Sequence, residues 1–188
     1  MVFKLRFNRS DFLVFDVSPE ELEDQFGEDH FFLLDEPIWA SFWKPINAQF
    51  HDDSDGQNVA ALPDITCWFT DQLVLNKQAY QKLGSTLEPY GEFLPVQYER
   101  TSFKILHVTK LTGLEAINQD ESDRLVEESG HIEINKISFK DDAIRDLLLF
   151  KTEYDGYKNI YCSNKFKDLI EGSKLNGLIF NADLASVF

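Results

Sequence analysis

Cysteine is scarce in this sequence: Cys67 and Cys162 are the two in 188 residues, and they sit in unrelated contexts. So small a number excludes a disulfide framework, although one bridge between the pair stays open, and it suits a reducing cytoplasm. Neither cysteine has a second Cys or a His at finger-like spacing, so no zinc site is expected. Long apolar runs are missing too. Nothing approaches the roughly 20 consecutive apolar residues of a membrane helix, and no membrane association is expected. The amino terminus alternates apolar with polar residues and lacks the apolar block and small-residue cleavage site of a secretory signal. There is no glycine-rich phosphate loop and no Gly-x-Ser-x-Gly elbow. Bases are few, 18 Lys and Arg against 33 Asp and Glu, for a formal charge of −15.

That charge is unevenly spread. Residues 11–64 hold fourteen Asp and Glu against a single base, Lys44, a net of −13. The rest of the chain is nearly neutral. Such a surface repels nucleic-acid phosphates and anionic lipid and attracts a basic partner. The plainer reading is that these carboxylates provide solubility alone.

What is present is apolar material: hydrophobic residues make up 43% and aromatics 14%, including 17 Phe. A chain of this length and composition buries a core without staples. Alternation predicts a half-buried strand over 2–7, with Lys4 and Arg6 on its polar side. Ser18-Pro19-Glu20-Glu21 reads as a helix start with a capping box, stopped at Gly27. Residues 31–34 read as a buried strand, and 66–69 as another. Asn76 caps a helix that Gly84 ends. Residues 91–98 and 102–108 form a hairpin about Glu99-Arg100-Thr101, and 131–134 is a strand. A short helix over 141–148 precedes a second hairpin about Asp155-Gly156. Ser163 caps the last helix, closed near Gly172, and 177–180 is the last strand. Mixed elements without regular strand–helix alternation indicate an α+β fold: mainly antiparallel sheet with hairpins and several short helices packed against it. One domain over 1–188 is expected. Residues 1–61 are either a smaller acidic amino-terminal subdomain or strands of the same sheet as 62–188.

Most candidate chemistry fails on spacing. The loop from His51 to Gly56 has a calcium-loop look, but His51 stands at the first ligand position and Leu62 at the twelfth, where a bidentate Glu is needed. Nucleophilic catalysis needs a Cys or Ser beside a His. The four histidines are scattered, and His107 in its apolar run reads as a packed strand residue. No cofactor and no catalytic residue is indicated. Trp39, Phe42 and Trp43 recur at spacings that share one face. They either anchor the first third onto the sheet or are partly exposed as a hot spot for a protein partner. The candidate partner-binding residues are therefore Trp39 and Trp43, with Asp24, Glu28, Asp29, Asp52, Asp53 and Asp55 as the steering charges.

Several weak motifs occur in a telling order: Leu62-Pro-Asp64, the helix over 75–83, Glu92-Phe-Leu-Pro-Val96 and Asp120-Glu-Ser122. After them come Ile137-Ser-Phe139 before Leu147-Leu-Leu-Phe150, then Ile160-Tyr-Cys-Ser163, a terminal helix and Gly177-Leu-Ile-Phe180. In this order the last two thirds of the chain resembles the eleventh family of immunity proteins from bacterial polymorphic-toxin systems, formerly a domain of unknown function. The resemblance implies a small cytoplasmic protein, not an enzyme, that binds and neutralises a cognate toxin domain by stoichiometric occlusion. The acidic surface adds the expectation of a basic, nuclease-like toxin. The alternatives are an adaptor or structural protein unconnected to toxins, and a hydrolase using Cys67 or Cys162.

Overall fold

A computed structural model describes residues 1–28, 37–54 and 60–186. The fold is α+β and rests on two five-stranded sheets, each antiparallel apart from one edge pair. The first runs β14 (Leu178–Asn181), β1 (Val2–Phe7), β13 (Tyr161–Ser163), β12 (Leu149–Thr152), β9 (Leu111–Thr112), with β9 parallel to β12. The second runs β3 (Ile46–Asn47), β7 (Gly91–Tyr98), β8 (Thr101–Val108), β6 (Gln72–Leu75), β5 (Ile65–Trp68), with β3 parallel to β7. Two ribbons stand apart, β2 (Val14–Asp16) with β4 (Gln49–His51) and β10 (Asp123–Val126) with β11 (Ile132–Lys136). The helices are α1 (Pro19–Phe26), α2 (Lys77–Leu87), α3 (Asp141–Ile144) and α4 (Asn164–Gly172). From the first 61 residues, β1 lies between β13 and β14 and β3 lies beside β7.

Period-two alternation divides the apolar residues among three clusters. Leu73, Leu75 and Leu106 of the second sheet meet Phe3, Leu5, Leu149 and Cys162 of the first, together with α2 and α4. The neighbours Val74 and Ile105 point the other way, into a cluster with Phe15, Leu22 and Trp39 of the first third. On the far side of the first sheet, Phe150 and Tyr161 pack with Ile117, Ile137 and Ile144. Both faces of each sheet are thus covered, which is why β5, β6 and β12 are buried at every position.

Several local readings hold. Ser18 Oγ accepts from the Glu21 N–H, Pro19 opens α1, and Gly27 follows it at φ 88°. Asn76 Oδ1 accepts from the Ala79 N–H at the start of α2. In the first hairpin Tyr98 pairs with Thr101 across a two-residue turn. In the second, β12 and β13 pair through a longer connection that holds a 3₁₀ turn at Glu153–Asp155 and Gly156 at φ 70°.

Other details differ for physical reasons. The strand over 2–7 is not half-buried: β1 is an interior strand, and Lys4 is 3% exposed. Burial, with Arg6 beside it, lowers the Lys4 pKa to about 8, and its ammonium donates to Ser186 O. The capping box is half made, because the Glu21 carboxylate turns to the N–H and side chain of Asn47. Gly84 does not end α2, which runs three residues further; the Tyr80 ring packs 3.0 Å from where a Gly84 Cβ would stand. The helix expected over 141–148 is confined to Asp141–Ile144. Ser163 holds the cap position of α4, but its hydroxyl makes no cap bond. The strand expected over 31–34 lies outside the described residues.

Gly177 enters β14 at φ 113°, and a Cβ there would stand 2.4 Å from Ile65 O. Gly177→Ala should destabilise the fold by at least about 2 kcal/mol, through a strained dihedral and a backbone clash. Urea unfolding checks it; an unchanged midpoint would show that β14 has another way onto the sheet.

Candidate functional site

The acidic first third rides on the cluster that covers the second sheet. Leu22 and Phe26 of α1 and Phe50 of β4 are seated there, which leaves the polar side of α1 to solvent. Asp24 and Glu28 are exposed, as are Asp52 and Asp53 just after β4. Asp29 and Asp55 lie outside the described residues. Asp52 Oδ1 accepts from the Ser54 N–H at 2.9 Å. Asp53 pairs with Arg9 at 3.6 Å across two largely exposed side chains, a contact that contributes little to stability. The lone base of the region, Lys44, donates to Gln25 O. Asp24, Glu28 and Asp52 thus face solvent with no ion-pair partner among the described residues.

Trp39 and Trp43 come together, their rings stacked at 5.7 Å and 6°. Trp39 is 3% exposed and also stacks on His107 at 4.0 Å and meets Trp68 edge-on. Its indole therefore faces the chain's own core, as an anchor does, and not solvent. Trp43 is half-buried, and its Nε1 donates to Pro95 O. Glu92 Oε2 accepts from the N–H groups of Trp39 and Ala40, fastening the same segment to β7.

Beside this anchor lies a cleft of about 740 Å³ that spacing in the sequence did not reveal. It opens where the turn after β5 and the turn after β12 meet. Thr70 ties the two together: its hydroxyl donates to Lys158 O, and its carbonyl accepts from the Ile160 N–H. Each turn carries an aromatic residue with left-handed backbone, Phe69 at φ 52° and Tyr157 at φ 62°. Phe69 is 59% exposed and stacks on buried Trp68. Bulky residues hold such dihedrals only where their surroundings impose them.

A chain of polar contacts crosses the floor. Lys151 Nζ donates to Asp71 Oδ2 at 2.9 Å, and Gln72 Nε2 donates to the same oxygen at 2.8 Å. Gln72 Oε1 lies 3.0 Å from His107 Nδ1, and Pro37 O lies 3.2 Å from His107 Nε2. Both neighbours of the imidazole are acceptors, so the neutral ring, with one N–H, satisfies one of them. Burial, with the charge of Lys151 second, nonetheless lowers the His107 pKa to about 4. It is a packed, neutral strand residue at pH 7.

The unfolded chain takes up the His107 proton near pH 6.5 and the folded chain near 4, so stability is lost as pH falls through that window. Between pH 7 and 4.5 the loss from His107 should be about 2 kcal/mol, and His107→Gln should remove it. Urea unfolding of both proteins at the two pH values checks this; equal losses would place the low pKa elsewhere.

Both cysteines are free thiols in the central core, Cys67 at 2% and Cys162 at 0% exposure. Burial pushes Cys67 up to about 12 and raises Cys162 as well. A thiol held protonated and out of contact with solvent is a poor nucleophile. Among the described residues no three or more His, Cys, Asp or Glu gather as a metal site, and no helix is long and apolar enough to cross a membrane. The chain matches no protein-family model and no curated protein.

Proposed function

We propose that this chain is a cytoplasmic, non-enzymatic immunity protein that neutralises a basic, nuclease-like toxin domain by occluding it. The observation that carries the reading is the exposed acid of the first third, above all Asp24, Glu28 and Asp52, which have no ion-pair partner among the described residues and flank elements seated on an aromatic cluster. Fixed carboxylates of one sign speed encounter with a basic surface and disfavour acidic competitors. The toxin itself comes from the sequence resemblance. Free buried thiols suit a reducing cytoplasm, and their burial speaks against the hydrolase alternative.

Expression in cells tests the reading. The product of the gene directly upstream, produced alone, should arrest growth, and this chain produced beside it should restore growth. A Cys67→Ser/Cys162→Ser double variant should protect equally well. Toxicity that persists with this chain present would favour the adaptor reading, and protection lost with both thiols would favour the hydrolase.

A further inference from the structure

The floor of the cleft has a charge and shape that occlusion of a large basic partner does not use. Among the described residues its charged lining is one carboxylate, Asp71, against two ammonium groups, Lys151 and Lys158, with His107 neutral. In a chain of charge −15 this is a local excess of one positive charge. Lys151 is 4% exposed, and among the described residues Asp71 Oδ2 is the one acceptor its ammonium meets. An ammonium carries three N–H donors, and leaving buried donors unmet is costly. Lys158 is exposed and belongs to no ion pair of the described residues. Apart from Thr70 and Thr109 the remaining side chains of the wall are largely apolar, with Ile38 51%, Leu111 48% and Tyr157 37% exposed.

We propose that this cleft binds a small organic monocarboxylate with an aromatic or branched aliphatic body. Its carboxylate takes the spare donors of Lys151 and the ammonium of Lys158, and its body lies against Ile38, Leu111 and Tyr157. One negative charge balances the excess of the lining, whereas a phosphate dianion leaves an uncompensated charge beside Asp71. The volume is in the range of small-molecule sites, and the two turns that frame it are already tied by Thr70. This site stands independently of the toxin reading.

Titration of the full chain with 2-naphthoate, followed by amide NMR shifts, tests it. Naphthoate should shift Thr109, Leu111, Lys151 and Lys158 saturably. Neutral 2-naphthamide should bind at least about tenfold more weakly, the loss of one charge-assisted contact. Dianionic naphthyl phosphate should also bind at least about tenfold more weakly, because its second charge is uncompensated beside Asp71. Lys158→Gln, an exposed change that spares the fold, should weaken naphthoate about five- to tenfold. Lys167→Gln, on α4, should leave it unchanged. Acid and amide binding equally well, phosphate binding best, or no shift at these residues up to about 10 mM, a ceiling near 3 kcal/mol of affinity, would each overturn the assignment.

Discussion

Reversing Asp24, Glu28 and Asp52 to Lys should slow association with the basic partner about ten- to a hundredfold at low salt and leave the fold intact. All three side chains are exposed, and Asp52 gives up exposed hydrogen bonds from Ser54 and from the Ala60 backbone. Surface changes of this kind alter stability by about 0.5 kcal/mol or less. The rate should fall because fixed charges act at a distance: the screening length is about 30 Å at 0.01 M salt and about 3 Å at 1 M. The gap between the natural chain and the variant should therefore close as salt rises. Stopped-flow association at several salt concentrations reads both effects. Equal rates for the two proteins at low salt would reduce these carboxylates to solubilising groups.

Trp39→Ala should destabilise the chain by about 3–5 kcal/mol, the range for truncating a large buried aromatic. The indole is the common contact of His107, Trp43 and Trp68, so its loss opens the seam between the first third and the second sheet. Affinity for a partner should fall no further than the loss of folded protein explains. Urea unfolding together with a binding titration separates the two roles. A stable variant that binds weakly would make Trp39 a hot spot after all, and the segment that bears it a moving part.

Local chemistry was legible in the sequence where it is self-contained. Ser18, Asn76 and the two-residue turn at Glu99 and Arg100 act within a few residues, so spacing suffices to find them. β6 was not legible, because a four-residue strand buried on both faces has no alternation and runs straight into the cap of α2. Lys4 misled for the reverse reason: alternation was present, but an interior strand with both faces covered keeps no solvent side. Gly84 and Ser163 carry stop and cap chemistry that packing overrides. The acidic face was legible as composition, since charge needs no partner to be counted. The cleft was not. Pro37, Asp71, His107, Lys151 and Lys158 meet only when two sheets bring their ends together. The one signal in sequence was Lys151, a lone base directly after the apolar run from Leu147 to Phe150, where an ammonium requires a buried acceptor.

Neutralisation by occlusion differs from every catalytic alternative in its stoichiometry. With the purified product of the upstream gene held at fixed concentration, its toxic activity is titrated with this chain. Inhibition should rise linearly and be complete at one chain per toxin molecule, with a 1:1 complex by light scattering. Complete inhibition at far less than one equivalent, or none at large excess, would contradict it.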